Sequence, residues 1–371
     1  MTNAAVDMWI IFAPLITSIL VCWLILATLR WHQHWSLDNL SSIQRMHDGS
    51  TPRVGGLAVM AAIGIGVLQL EGESRTLLRT EFILGFILFS FGLTEDMTKK
   101  VSVAVRLWAG FMPGVLGYFL AGISLKYVGW APLDWVLGFT PAAVLFTAFA
   151  VGGITQAINI IDGFNGLCGG VCIWALSAII VIALQVGDHA LALSCIVVLA
   201  SIVGFLLFNW PWGRLFLGDG GSYLVGFCVA WSTVLLAMRN PEVSPFALLL
   251  TCIYPVTEVL YSMLRRRLAK RQTGQPDRLH LHQLVAIAWV YPYLGALRGV
   301  FKNSLTGLLM SLLMALPGLA ACVFYQQTAV LVIACLLFVL GYYPLYQIAL
   351  RCAQMREHRH GGKIIKDALH S

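Results

Sequence analysis

Four carboxylates lie where long apolar runs of this chain end. Glu95 and Asp96 are adjacent in FGLTEDMTKK, Asp162 lies in NIIDGFNG, and Asp219 lies in LGDGGS. Clustered oxygens suit Mg²⁺, which usually takes one or two protein carboxylates and completes its shell with water and substrate phosphate. If these loops meet at one face of the molecule, they predict metal-assisted phosphoryl transfer.

Basic residues and glycines accompany the acids. Arg53 precedes a GG pair, and Arg278, His280 and His282 lie in PDRLHLHQ. Such side chains can bind a diphosphate, and glycines let backbone N–H groups approach phosphate closely. The loop glycines concerned are Gly55, Gly56, Gly163, Gly166, Gly218, Gly220 and Gly221. We therefore expect a phosphate-binding surface beside the carboxylates.

Each of these features also has a purely structural explanation. An acidic pair often ends a solvated helix, and Asp-Gly is a common turn dipeptide. Asp219 is suited to cap the helix that follows it, and two histidines can share a basic loop by chance. Only their joint occurrence at the ends of apolar runs favours chemistry over these alternatives.

The elements that must position these residues are membrane helices. The chain has 371 residues, of which 59% are hydrophobic and 11% charged, whereas soluble domains carry roughly 25% charged residues. Runs of roughly 18 or more apolar residues predict transmembrane helices. We predict an all-α integral membrane protein with about 11 transmembrane helices (10–11), the third of them short. The predicted spans are about 8–30, 54–70, 80–94, 103–123, 137–158, 167–186, 189–208, 221–237, 244–263, 303–324 and 328–350.

The basic residues predict the orientation of these spans. With the N-terminus outside, all but four of the 24 Lys and Arg residues fall on the inner side. Positive residues in short loops favour the cytoplasm, so we expect the acidic loops on the cytoplasmic face. The four exceptions are Arg75, Arg79, Lys126 and Arg239.

The domain organisation is simple. Residues 1–371 are predicted to form a single polytopic membrane domain, with a cytoplasmic HxH arm at 264–302 and a basic cytoplasmic tail at 351–371. The net charge of +7 is explained by topology and by contact with membrane lipid. Nucleic-acid binding is not expected, because no aromatic-basic motif supports it.

At its polar loops the chain resembles the polyprenyl-phosphate N-acetylhexosamine-1-phosphate transferase family. The motifs occur in family order and at the expected helix ends, which makes the resemblance specific. The matching positions are Pro52 to Gly56, Glu95, Asp96, Asn159, Asp162, Gly163, Gly166, Gly218, Asp219, Gly221, Ser222 and the PDRLHLHQ stretch. Three positions depart from the family pattern, namely Glu95 in place of Asp, Asn165 in place of a second loop acid, and Gln283 in place of a third histidine.

The resemblance implies a glycosyl-1-phosphate transferase of the bacterial inner (cytoplasmic) membrane. The donor would be a UDP-sugar of the N-acetylhexosamine type and the acceptor undecaprenyl phosphate. UMP would be released and a lipid-linked surface polysaccharide such as O-antigen begun. Mg²⁺ is the implied cofactor, with Mn²⁺ as a substitute, and we also keep a homodimer open.

The resemblance also assigns candidate roles. Asp219 and Asp162 are the expected metal ligands, and Asp96 positions or deprotonates the acceptor phosphate, with Glu95 beside it. The expected substrate-binding residues are Asn159, Asn165, Arg53, Arg278, His280 and His282.

Two other functions remain as alternatives. One is the peptidoglycan-type phospho-MurNAc-pentapeptide transferase, whose arm typically carries three consecutive histidines. The other is a membrane transporter, which would place ionisable groups near the bilayer midplane. The gathering of polar groups at one face favours the transferase.

Overall fold

The computed structural model describes residues 3–37, 51–270, 277, 279–294 and 297–360, and within these ranges the regular structure is helical. A π-helical turn (Ala286–Val290) and a 3₁₀ turn (Leu312–Met314) interrupt the later helices. The all-α prediction is confirmed. The helices are α1 (Asn3–Ala27), α2 (Leu29–Ser36), α3 (Gly56–Gln69), α4 (Gly72–Thr98), α5 (Val103–Ala121), α6 (Ala131–Leu137), α7 (Thr140–Ile160), α8 (Leu167–Gln185), α9 (His189–Asn209), α10 (Gly218–Arg239), α11 (Pro245–Leu250), α12 (Ile253–Leu268), α13 (Leu281–Val285), α14 (Tyr291–Tyr293), α15 (Gly299–Ser311), α16 (Ala315–Phe324) and α17 (Thr328–His360).

Nine helical segments within the described ranges are long and apolar enough to cross a membrane. Two of the eleven predicted spans have no counterpart among these nine segments. The span at 54–70 is α3, an apolar helix of 14 residues. The span at 244–263 is divided into α11 and α12 at Thr251 and Cys252. Pro255 explains this break, because it has no N–H to donate to the carbonyl four residues earlier.

The third span is not short. Its helix, α4, has 27 residues, since the polar residues at its start are helical and only interrupt the apolar run. Glu81 lies in this part and is fully buried, with Ser232 of α10 at 3.5 Å. The sequence therefore does not predict this buried acid well inside a helix.

Helix α10 forms the centre of the bundle. It is enclosed along nearly its whole length, and α4 and α7 pack along it. Small residues permit close packing in membrane helices. A Cβ on Gly92 of α4 would lie 2.5 Å from the Cα of Gly220, so the two backbones meet where α10 begins.

The two ends of α10 mark opposite ends of the molecule. Asp219 is the second residue of the helix and Arg239 is its last, about 30 Å away at 1.5 Å per residue. Arg239 contacts Glu73 at 2.8 Å, which places the start of α4 beside the end of α10. Asp96, near the end of α4, lies beside the start of α10. Glu73 and Arg239 therefore lie at one end of the bundle, and Asp96 and Asp219 lie at the other.

Candidate active site

The start of α10 is built around Asp96. Gly218 has φ +74, and a side chain there would meet the Arg53 carbonyl and Asp96. The backbone N–H of Gly220 donates to Oδ2 of Asp96 at 3.0 Å. The N-cap residue is Leu217, and the side-chain oxygens of Asp219 are bonded to Arg53 and Arg106. Capping is therefore not the role of Asp219.

Asp219 instead lies between two guanidinium groups. Nη2 of Arg53 lies 3.5 Å from its Oδ1, and Nη1 of Arg106 lies 3.5 Å from its Oδ2. The carboxylate is partly exposed, with 19% of its side-chain surface accessible. It is held in a charged environment that remains open to a ligand.

Backbone hydrogen bonds fix Arg53. Its N–H donates to the Ser36 carbonyl at 2.8 Å, and the N–H of Phe216 donates to the Pro52 carbonyl at 2.9 Å. The N–H of Gly55 donates back to Phe216 at 2.8 Å. The segment that carries Arg53 is thus tied to the segment that leads into α10.

The acidic pair is buried, with 9% of Glu95 and 7% of Asp96 exposed, so it is not a solvated helix end. Oε2 of Glu95 accepts the N–H of Val101 at 2.8 Å, and Oε1 lies 4.0 Å from Arg106. Glu95 therefore organises the turn into α5. Oδ1 of Asp96 accepts no hydrogen bond, with Lys99 at 3.7 Å and Arg53 at 3.9 Å.

The NIIDGFNG loop is a turn that also presents a carboxylate. The N–H of Asp162 donates to Asn159 at 3.1 Å, as in an ordinary turn. Burial raises the pKa of Asp162 to about 7. The Arg53 guanidinium opposes this shift, while the nearby Asp219 and Asp96 charges add to it. Asp162 therefore belongs to the same group of charges as the other two aspartates.

The two amides of this loop have different surroundings. Nδ2 of Asn159 donates to Oγ of Ser222 at 2.6 Å, which joins the end of α7 to the first turn of α10. Asn165 is buried and turns to α15. Its N–H donates to Asn303 at 2.7 Å, and its Nδ2 donates to Ser304 at 3.0 Å. Asn159 borders the acidic group, and Asn165 anchors the loop from behind.

The two histidines of the arm are buried, with 8% of His280 and 1% of His282 exposed. Nδ1 of His280 lies 3.0 Å from Oε1 of Glu258, and Nδ1 of His282 lies 3.3 Å from the Tyr254 hydroxyl. Nε2 of His282 lies 3.7 Å from the point where a Cβ on Gly163 would stand. His282 reaches the NIIDGFNG loop, whereas His280 contacts Glu258 of α12.

One prediction, that the loop glycines bind phosphate, needs correction, and two others fall on residues that the structure does not describe. The N–H groups of five loop glycines already donate within the chain, so the prediction that they cradle phosphate is wrong for these positions. They are those of Gly55, Gly56, Gly163, Gly166 and Gly220. Arg278 lies outside the described residues, and so do residues 361–371 of the predicted tail.

Comparison with known proteins agrees with this geometry. The profile described as Glycosyl transferase family 4 matches residues 78–237. The chain is 29% identical over 248 residues to the probable undecaprenyl-phosphate N-acetylglucosaminyl 1-phosphate transferase of Bacillus subtilis (strain 168), covering 65% of this chain and 67% of that protein. It is 29% identical over 247 residues, with the same coverage, to the undecaprenyl-phosphate alpha-N-acetylglucosaminyl 1-phosphate transferase of Yersinia pestis. It is 28% identical over 254 residues to the transferase of that name from Escherichia coli (strain K12), covering 66% and 67%.

These matches agree with the resemblance to the polyprenyl-phosphate N-acetylhexosamine-1-phosphate transferase family. The matched segment of this chain begins within α4 and ends within α10. It includes the acidic pair, the NIIDGFNG loop and Asp219. The arm and its histidines follow the matched segment.

The sequence does not identify one residue of the candidate site. The sequence identifies Arg106 only as one of the inner-side basic residues, but its guanidinium contacts both Asp219 and Glu95. Its carbonyl accepts Nε2 of Gln156 at 3.0 Å. A signal was present, because Arg106 is a lone cation at the start of a predicted span. Such residues commonly face a protein partner.

Proposed function

We propose that this protein transfers an N-acetylhexosamine 1-phosphate from a UDP-sugar to undecaprenyl phosphate and releases UMP. The product would be the lipid-linked start of a surface polysaccharide such as O-antigen. The observation that carries the proposal is the grouping of Asp96, Asp162 and Asp219 around Arg53 at one end of the bundle. The names of the relatives support undecaprenyl phosphate as acceptor. They favour this activity over the peptidoglycan-type transferase and over transport.

The chemistry needs little base catalysis. A phosphomonoester has a second pKa near ~6, so the acceptor is largely a dianion at neutral pH. An acceptor oxygen would attack the β-phosphorus of the donor, forming the new P–O bond as the bond to UMP breaks. The difficulty is the repulsion between two anions. Arg53, Arg106 and Lys99 are the cations that surround the acids and can relieve it.

The side chains at the site suit a divalent cation shared with substrate. Within the described part of the chain, no three His, Cys, Asp or Glu side chains form a metal cage. Mg²⁺ typically uses one or two carboxylates with phosphate oxygens and keeps several waters. Asp219 has only long contacts with its arginines, and Oδ1 of buried Asp96 accepts no hydrogen bond. Asp219 and Asp162 are the proposed ligands of Mg²⁺ or Mn²⁺, and the ion would neutralise charge on the transferred phosphate.

The remaining residues have proposed roles in substrate binding. Asp96 would position the acceptor phosphate or take its remaining proton. Asn159 borders the proposed metal site through Ser222, and Arg53 would contact the diphosphate. Arg278 is proposed to bind the diphosphate from the arm. For the arm histidines, the positions of the two rings support a direct role for His282 and an indirect one for His280.

The proposed setting is the bacterial inner membrane, with this end of the bundle in the cytoplasm. Its support is the distribution of Lys and Arg among the loops. UDP-sugars are cytoplasmic, so the proposed orientation and donor agree.

The direct test is release of UMP by purified protein in detergent containing undecaprenyl phosphate. UDP-N-acetylglucosamine should give UMP and a lipid-linked product, and UDP-N-acetylgalactosamine and UDP-glucose serve as comparison donors. Omission of the lipid should abolish release. If no UDP-sugar releases UMP in the presence of the lipid and Mg²⁺, the proposed function is wrong.

A further inference from the structure

Glu258 is a buried carboxylate with three separate donors. It lies on α12 with 1% of its surface exposed. The Leu281 N–H donates to both of its oxygens at 3.2 Å, and the Tyr342 hydroxyl of α17 donates to Oε2 at 2.9 Å. Nδ1 of His280 completes the set at 3.0 Å from Oε1. Because an ionised carboxylate only accepts, Nδ1 of His280 carries the hydrogen in this arrangement.

The other side of His280 is also held by an acid. Its Nε2 lies 4.0 Å from Oδ2 of Asp277, and Asp277 is itself bonded to Arg265 and to Ser262. Burial would raise the pKa of Asp277, but the His280 and Arg265 charges and the bonds from Ser262 and the Leu279 N–H hold it below its usual range. His280 is thus fixed between two carboxylates and has no ring nitrogen directed at the acidic site.

His280 supports His282 by stacking. The two rings are nearly parallel, with centroids 5.4 Å apart and an interplanar angle of 8°. The ring of His282 then meets Phe164 edge-on at 5.6 Å and lies beside Gly163. A continuous series of contacts therefore runs from Glu258 through the two histidines to the loop that carries Asp162.

His282 is uncharged at neutral pH. Burial lowers the pKa of His282 to about 3, with the Glu258 charge opposing the shift and the His280 charge adding to it. The ring is a neutral imidazole at neutral pH, so its orientation rather than its charge decides what it offers the loop. That orientation depends on the contacts with Tyr254 and His280.

We propose that Glu258 is a positioning residue of the transferase site. It fixes His280 and the first turn of α13, so that His282 stays packed against the Asp162-Gly163 turn. Glu258 does not touch substrate in this proposal. Only the kinetic test of this inference depends on the proposed function.

The kinetic test compares Glu258→Gln with wild type. The amide nitrogen cannot accept, so one of the donors loses its partner, and we expect kcat/KM for the UDP-sugar to fall about 10- to 100-fold, because small misplacements near a site are costly. The KM for undecaprenyl phosphate should not change. Glu81→Gln is the matched control, since Glu81 is equally buried but lies in α4, on the Ser232 side of α10. It should stay within about twofold of wild type, the spread expected of a change away from the site.

A double-mutant cycle tests whether Glu258 acts through His282. In the His282→Ala background, Glu258→Gln should cause little further loss, because residues that act as a unit are not additive. Full additivity would overturn the proposal, and so would a Glu258→Gln enzyme with wild-type kinetics. Should Glu258→Gln fail to purify, Glu258→Asp is measured in the same cycle, since it keeps the charge but withdraws it by one methylene.

A readout without substrate separates this proposal from the proposed function. Hydrogen–deuterium exchange of residues 279–285 should be faster in Glu258→Gln, because the Leu281 N–H loses part of its acceptor. Unchanged exchange would overturn the positioning role even in an active enzyme. If wild type releases no UMP but exchange accelerates in the variant, the proposed function fails and the positioning of the arm stands.

Discussion

Oδ2 of Asp96 accepts the backbone N–H of Gly220 at 3.0 Å, so a carboxylate from α4 caps the start of α10. Unpaired N–H groups and the helix dipole favour negative charge at this position. The cap leaves the neighbouring Asp219 free to face Arg53 and Arg106. Two acids are thereby held near each other with different tasks.

Asp219→Asn should lower turnover by about 10²-fold or more, the usual size of an effect on preorganised charge. Shape and helix position are kept while the charge is lost. The measurement is UMP release per folded protein. Asp134→Asn is the control, because Asp134 accepts the Val128 N–H at 2.7 Å in a separate turn. Equal activity of the two variants would contradict a role for the Asp219 charge.

Removal of divalent cations should abolish wild-type activity. We expect no UMP release in EDTA and recovery when Mg²⁺ or Mn²⁺ is added in excess. Thermal unfolding measured in parallel shows whether the chelator harms the protein itself. Undiminished turnover in EDTA would exclude a metal role for Asp219 and Asp162.

Asp162→Asn distinguishes the two explanations of NIIDGFNG. Asn suits this kind of turn as well as Asp does, so the turn bond to Asn159 should persist and the protein should purify normally. Because the carboxylate is lost beside Asp219 and Asp96, we expect UMP release to fall about 10²-fold or more. A fully active variant would mean that Asp162 serves only the turn.

Much of the fold could be predicted because apolar runs mark membrane helices directly. The acids could also be predicted to share one end, since loops alternate between the two sides of a bundle. Side-chain partners could not be predicted. Glu258 contacts residues 22 and 84 positions away, His280 and Tyr342, and these pairs depend on how helices pack.

The same limit explains the errors within the site. The position of a glycine in a loop predicts an exposed N–H, but Gly55 and Gly220 donate to groups of other segments. The third span looked short because the start of α4 carries charges, and burial of Glu81 against α10 is visible only in three dimensions. The pattern of apolar residues identifies a helix, whereas the partners of its polar groups depend on the segments packed against it.

The orientation of the bundle can be tested with a reporter that is active only in the periplasm. Fusions after Lys100, after Arg271 or at the C-terminus should be silent, because basic loops favour the cytoplasm. Fusions near Arg75 or Asn240 should be active, since the Arg239–Glu73 pair places them at the opposite end. Activity after Lys100 would place the acidic site on the wrong side for a UDP-sugar.

The end of the molecule opposite the acidic site is held together by Asp188. Its carboxylate accepts Nε of Arg239 at 2.7 Å, Nδ2 of Asn240 at 3.1 Å and the Leu191 N–H at 3.1 Å. Burial alone would raise the pKa of Asp188, but these bonds and the Arg239 charge outweigh it and hold the pKa below 3.8. Because the folded-state pKa is depressed, the stabilisation is complete above the unfolded-state pKa and is lost as pH falls through the lower folded-state value.

Asp188→Asn should therefore destabilise the protein at pH 7 by about 1.5–3 kcal/mol, the typical worth of a hydrogen bond to a charged group. Thermal unfolding in detergent should show a lower midpoint for the variant at pH 7. The difference from wild type should begin to shrink as pH falls below about 4, where Asp188 becomes protonated in the unfolded state, and should be smallest below the lower folded-state pKa. UMP release per folded protein should stay unchanged, because α10 separates Asp188 from Asp219 by about 30 Å. A difference in midpoint that is the same at every pH would show that the Asp188 charge is not the source of the stabilisation.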